Sequence, residues 1–274
     1  MTNPAQSAEP APLALGRPII FVGGLHRSGT SVIHRCIAAH PGVSGFEGTG
    51  VYEDEGQHLQ SVYPPAHRHG GPGRFGLDPS AHLTESSALV SAATRRALLR
   101  DWGRHWDPGS PVVVEKSPPN IVRTRFLQAV FPEAAFVLVL RHPIAVCEAT
   151  RKWRRASRTA LMRHWANTHH VMAADLRHLR RFRIVRYEVF VRDPESELAA
   201  LFEMVGLPPI PVPGRVRQGI NERYFESWRA CASTALGGRD CRRAIRMFQG
   251  DAERWGYSLS QPELLAVPPP VVTV

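Results

Sequence analysis

Residues 21–31 read FVGGLHRSGTS, and this run constrains the chain more than any other. The residues leading into it, PIIFV at 18–22, have the β-branched and aromatic character of a buried strand. Two glycines and a short loop follow, and Thr30 then opens a helical pattern that places Val32, Ile33, Cys36 and Ile37 on one face. A strand turning through glycines into a helix aims backbone N–H groups and the positive helix end at one point, which makes an anion cradle. Gly24 to Ser31 has the outline of a nucleotide-binding loop, yet Thr30 stands where a nucleotide triphosphatase places its lysine. The positive charge is instead Arg27, inside the loop, with Ser28, Thr30 and Ser31 adding hydroxyl donors around it.

Three further apolar runs, PVVVE (111–115), AFVLVL (135–140) and FRIVRY (182–187), read as strands covered on both faces, because they are β-branched or aromatic and do not alternate cleanly with polar residues. Helical patterns lie between them: Leu89, Ala92, Ala97 and Leu98; Ile121, Phe126, Leu127 and Val130; and, after the start signal Asp193-Pro194, Leu198, Leu201, Phe202 and Val205 up to Gly206. Strands alternating with helices predict an α/β, P-loop-containing three-layer fold with a central parallel sheet and helices on both faces. At 274 residues and 43% hydrophobic, the chain can bury one substantial core. Residues 1–17, rich in Ala and Pro, read as a flexible lead-in, 18–261 as one domain, and 262–274, with Pro268, Pro269 and Pro270, as a Pro-rich surface tail. Tyr63 to Ser80 is expected to form a long loop.

Two more groups of charge close strands. AFVLVL ends in Arg141 and His142, with Pro143 beginning a helix toward Thr150, Arg151 and Lys152. A metal-dependent phosphoryl transferase places a carboxylate at such a strand end, where this chain has Arg141. Ligands of open α/β sheets bind outside the carboxyl ends of the strands, so Arg27 and Arg141 can line one cleft and suit a nucleotide phosphorylated at two separated positions. VVVEKSPPN (112–120) ends a third strand with Glu115 and Lys116, and Pro118 and Pro119 hold the chain extended beyond. Lys116 facing the cleft could meet charge developing on a transferred group.

With 34 Lys+Arg against 24 Asp+Glu, the chain carries +10, which fits an anionic ligand, a nucleic acid or an acidic surface. A metal-assisted kinase or nucleotidase is opposed by Thr30 and by the missing strand-end Asp. A nucleic-acid binder would explain RKWRR (151–155) but leaves the donor-lined loop without a purpose. The four scattered cysteines, Cys36, Cys147, Cys231 and Cys241, predict free thiols in a reducing compartment rather than a disulfide scaffold or zinc site. With no signal-like start and no long apolar run, a cytoplasmic protein without integral membrane association is expected.

The loop at 21–31, the EKS segment at 115–117 and the strand-end Arg141, in this order, resemble the sulfotransferases that use 3′-phosphoadenosine 5′-phosphosulfate (PAPS). The resemblance covers roughly residues 18–257 and includes RYEVFVRDPESELAALFEMVGL; within the family, FVGGLHRSGTSVIHRCIAAHPGV looks most like the protein-tyrosine sulfotransferases. It implies sulfuryl transfer from PAPS to an acceptor hydroxyl on a glycan, peptide tyrosine, phenolic natural product or lipid, with PAP as product and without a metal or nucleic acid. It places Arg27, Ser28, Gly29, Thr30 and Ser31 around the 5′-phosphosulfate, Arg141 at the 3′-phosphate, and Tyr187 near the adenine or 3′-phosphate. Lys116 corresponds to the lysine that stabilises the bridging oxygen. Where the family usually has Ser, this chain has Ala149; Thr150 supplies the hydroxyl if the helix register shifts by one residue. Sulfuryl transfer also needs a base at the acceptor. Candidates lie in FEGTGVYEDEGQHLQSVYPP, with Glu47 first, Asp54 and Glu55 next, and Glu53 and His58 in the same cluster.

Overall fold

The computed structural model describes residues 16–214 and 216–266. Five strands, β1 (Ile19–Gly24), β2 (Val43–Ser44), β3 (Val112–Lys116), β4 (Ala135–Leu140) and β5 (Phe182–Arg186), form one parallel sheet in the order β2-β3-β1-β4-β5. Phe21 lies opposite Glu115, and Gly23 opposite Leu138. Four strands match the apolar runs read from sequence; β2, two residues long, offered too little pattern to stand out.

Among the described residues, nine α-helices cover and connect the sheet: α1 (Thr30–Ala38), α2 (Ala92–Gly103), α3 (Thr124–Val130), α4 (Pro143–Arg151), α5 (Arg158–Leu176), α6 (Tyr187–Arg192), α7 (Pro194–Met204), α8 (Glu222–Ala232) and α9 (Ala235–Arg254). Successive strand residues point to opposite faces, and here both faces are dry. Phe21, Val113, Phe136 and Leu138 pack with Trp102 of α2 and Phe126 of α3. Ile20, Val22, Val114 and Val137 pack with Ile33 and Ile37 of α1 and Leu201 and Phe202 of α7. This is the expected three-layer arrangement. Helix starts follow local chemistry: Asp193 caps α7 by accepting from the Ser196 N–H (3.2 Å), Pro194 follows, and Gly206 closes the end at φ 73°.

Strand order positions the site. From β1 the chain passes to β2 and β3 on one side and then to β4 and β5 on the other, so the winding reverses at β1. The loops leaving the carboxyl ends of β3, β1 and β4 therefore meet at one crevice.

Before α2, the expected loop from Tyr63 to Ser80 falls within a longer chain of short 3₁₀ turns that runs from Tyr52 to Ala81. It is fastened to the domain by the Trp102 indole donating to the Gly56 carbonyl (2.9 Å) and the Gln57 N–H donating to Ser117 Oγ (2.8 Å).

The packed chain extends past both ends of 18–261: Arg17 donates to the Ser110 carbonyl (2.8 Å), and Leu265 bridges Tyr257. Residues 1–15 of the lead-in and 267–274 of the tail, including Pro268, Pro269 and Pro270, lie outside the described residues. No helix among the described residues is long and apolar enough to cross a membrane.

Candidate active site

The loop after β1 is shaped by its backbone. Gly29 caps α1 at φ 103°, and a Cβ there would lie 2.5 Å from a ring carbon of Tyr187, so only glycine lets that ring close over the turn. Arg27 takes a left-handed backbone, φ 71°, a strain of about 1–3 kcal/mol that the surrounding contacts must hold. α1 has no side-chain cap and no acidic residue in its first turn, so its leading N–H groups and positive dipole end are available to an anion. That is the fit expected for a phosphate-bearing ligand.

A cavity of about 280 Å³ opens beside this turn, lined by Arg27, Gly29, Thr30 and Ser31 of the loop, by Glu53 and Glu55, by Arg141 and Tyr187, and by Arg223 and Tyr224 of α8. Ser28 is buried with its hydroxyl turned inward beneath Gly24 and without a hydrogen-bond partner; its side chain does not line the cavity. The Arg27 guanidinium lies 4.5 Å from the ring centre of half-exposed Trp153 at the cavity's edge.

Arg141, at the end of β4, is 6% exposed. One of its N–H groups donates to the Arg27 carbonyl (2.9 Å), which ties the second cation to the strained residue of the first loop. Its guanidinium carbon stacks 4.2 Å from the Tyr187 ring centre. Burial pulls the Arg141 pKa down, partly offset by the nearby Tyr187 and Glu188.

At the end of β3, Lys116, expected to face the cleft, is 1% exposed and does not itself line the cavity; it bonds to the Glu53 carbonyl (2.7 Å) and the Glu55 carboxylate (3.3 Å), and both of those residues do line it. Glu55 is itself buried, and burial raises its pKa against the opposing pull of Lys116 and the Gln57 amide. Glu115, on the preceding residue of the strand, is fully buried, receives Ser117 and Asn120, and has its pKa pushed up to about 7 by that burial.

The acidic cluster sorts itself out by orientation. Glu47, first choice from sequence as the base, is exposed and lies outside the cavity lining, whereas Glu53 and Glu55 further along the same segment line it. Asp54 faces the turn behind it, accepting from the Thr49 hydroxyl (2.6 Å) and the Thr49 N–H (2.8 Å), which lowers its pKa. Glu53 reaches across to the Ser31 hydroxyl (3.1 Å). Glu55 alone is both buried and paired with Lys116. His26, which also lines the cavity, is held near pKa 3, chiefly by burial and then by the Lys116 charge, and is therefore neutral. His58 stands 3.9 Å behind Glu55.

Thr150 does not supply the missing serine hydroxyl. It is buried on the side of α4 that faces Gly73 and lines no part of the cavity, whereas Ala149 faces Tyr224. A one-residue step on a helix is about 100°, so neighbours cannot share a face. On α8, Ser227 donates to Glu148 (2.9 Å) and Arg229 to Glu222 (3.1 Å), and neither lines the cavity. Sequence reasoning missed Arg223, Tyr224 and Asn221. Tyr224 is 2% exposed; burial pushes its phenol pKa up, but the hydrogen bond from Arg223 (2.8 Å) and the surrounding positive charges bring it below its usual value. NERYF at 221–225 has no motif to announce it; only proximity after folding does.

A loop that presents free helix N–H groups and an arginine at the switch point of a parallel sheet has the form of a P-loop without the triphosphatase lysine. Residues 18–211 match the model of the sulfotransferase family, and the chain belongs to that family. Protein-tyrosine sulfotransferase 2 of Gallus gallus is 28% identical over 200 residues, covering 69% of this chain and 51% of that protein. Protein-tyrosine sulfotransferase 1 of Danio rerio is 26% identical over 210 residues, covering 70% and 54%. The chain thus spans about half the length of the curated relatives it matches. The sulfotransferase domain of the Synechococcus PCC 7002 olefin synthase shares the fold, with a TM-score of 0.50 at 20% identity, covering 89% of this chain and 98% of that one.

Proposed function

We propose that this protein transfers a sulfuryl group from PAPS to an acceptor hydroxyl. One observation carries the reading: two cationic anion sites, at the ends of β1 and β4, are joined by the Arg141–Arg27 bond, and the buried Lys116–Glu55 pair stands beside them at the end of β3. The N-terminal turn of α1 and Arg27 suit the 5′-phosphosulfate, and Arg141, stacked on Tyr187, suits the 3′-phosphate.

Glu55 takes the role first considered for Glu47. It accepts the acceptor's proton as the acceptor oxygen forms its bond to sulfur and the sulfur–phosphate oxygen bond breaks. The electron pair of that bond leaves on PAP, with Lys116 and Arg27 close to the growing charge. Burial raises the Glu55 pKa, and Lys116 pulls it back toward the ionised form. The names of the relatives make a peptide tyrosine the first acceptor to test, followed by other phenols, glycans and lipid hydroxyls. The four free cysteines, three of them buried, support a reducing, cytoplasmic setting.

The test is transfer of label from radioactive PAPS across that acceptor panel, with calorimetric binding of adenosine 3′,5′-bisphosphate in EDTA. Binding together with transfer to at least one hydroxyl is expected. A folded protein that neither binds the bisphosphate nor transfers label sinks the proposal.

A further inference from the structure

A buried guanidinium ordinarily finds a carboxylate. Among the described residues Arg141 bonds to none, although Glu188 is near. Asn221, just ahead of α8 and beyond the family-matched segment, stands between them. Its Oδ1 accepts from Arg141 Nε (2.9 Å) and from a terminal nitrogen (2.7 Å), and its Nδ2 donates to Glu188 Oε1 (2.7 Å). Only this orientation of the amide satisfies both neighbours, because a guanidinium has donors alone and an ionised carboxylate acceptors alone. Glu188 is fixed in turn by the His142 N–H (2.9 Å) and the Tyr257 hydroxyl (2.8 Å). The other fixed edge of Arg141 meets the neutral Arg27 carbonyl. The guanidinium is thus held on two sides by uncharged oxygens, and its charge is not spent on an ion pair.

We propose that Asn221 is a positioning residue that aims Arg141 at the 3′-phosphate of the nucleotide while keeping the Glu188 carboxylate off it. The inference rests on the donor reading above and adds to it the residue that sets 3′-phosphate selectivity. An aspartate at 221 would put a carboxylate where the amide oxygen now sits, at bonding distance from Arg141, and compete with the phosphate for the guanidinium. Truncation to alanine would leave Arg141 free to turn toward Glu188.

The readout is the ratio of affinities for adenosine 3′,5′-bisphosphate and adenosine 5′-monophosphate, measured calorimetrically for the wild type, Arg141→Ala, Asn221→Asp and Asn221→Ala. Asn221→Asp should reduce the wild-type ratio by about tenfold or more, approaching Arg141→Ala, the range expected when a charge-assisted hydrogen bond is lost. Affinity for the monophosphate should change little. Asn221→Ala should reduce the ratio in the same direction, and it supplies the reading if the aspartate variant does not fold. A merely structural Asn221 would weaken both ligands alike and leave the ratio at the wild-type value, which overturns the proposal. A wild type that does not discriminate at all, with Arg141→Ala unchanged, removes the donor reading itself and the positioning role with it.

Discussion

On the β1 side of the cleft, the groups that face an anion are held by main chain, in the left-handed turn at Arg27 and the glycine cap of α1, while Arg141 at the end of β4 is held by one backbone carbonyl and by the Asn221 amide. On the β3 side, the working pair is held by side chains. Lys116 and Glu55 come from segments 61 residues apart, and the 3₁₀ turns carrying Glu55 have no sheet of their own. A backbone cradle tolerates changes in side chains because N–H groups and the helix dipole remain. An ion pair taken out of water does not, because removing one partner strands the other. The two sides should therefore respond differently to mutation, the acceptor side in turnover and stability, the donor side in ligand selectivity.

The largest effect is expected at the proposed base. Glu55→Gln should lower turnover by about two to four orders of magnitude with the folded protein intact, while Glu47→Gln stays within about twofold because Glu47 is exposed outside the cavity. Because burial raises the Glu55 pKa, the active carboxylate is the form at higher pH. The wild-type kcat/KM should rise with pH through a pKa above the ordinary carboxylate range, and that limb should be missing from Glu55→Gln. Equal turnover in the two glutamine variants would return the base to another residue.

Lys116→Met comes next. Turnover should fall by about two to three orders of magnitude, and urea unfolding should show a loss of about 3–5 kcal/mol from the unpaired Glu55. Adding Glu55→Gln to Lys116→Met should restore part of the stability but none of the turnover. Additive stability losses in the double variant would show that the two side chains are not coupled.

These contrasts follow what could be read before folding. The sheet was legible because β1, β3 and β4 are buried on both faces and β5 carries an apolar Phe-Ile-Val set, and the phosphate loop because its glycines and Arg27 are contiguous. β2 was too short to carry a pattern. Sequence shortlists Glu55 but ranks it behind Glu47, since five acidic or histidine candidates share one irregular stretch and only burial beside Lys116 separates them. Asn221 was invisible for a different reason: its partners, Arg141 and Glu188, lie 80 and 33 residues away in sequence.

A smaller effect concerns Glu115, next to Lys116 at the end of β3. Its folded pKa of about 7 lies above the usual 4.5, so the folded state holds this proton more tightly than the unfolded chain. The stabilisation is complete below pH 4.5 and is lost as the pH rises through 7, a fall on the order of 3 kcal/mol. Unfolding free energies at pH 5 and pH 8 should therefore converge in Glu115→Gln relative to the wild type. An unchanged difference would assign the slope to other groups.

The smallest effect tests the donor side at the position where sequence and structure disagree. Thr150→Val removes the hydroxyl that the helix register was expected to offer the nucleotide. In the folded chain that side chain lies against the Gly73 turn, one helical step away from Ala149 and Tyr224. Valine is close to isosteric with threonine, and the cavity does not reach this site. The ratio of affinities for the bisphosphate and the monophosphate should therefore stay within about twofold of the wild type, as for a substitution distant from the ligand. A drop as large as that of Arg141→Ala would mean that α4 turns by a residue when nucleotide binds, bringing Thr150 onto the 3′-phosphate, and the donor side would then be less rigid than its backbone contacts imply.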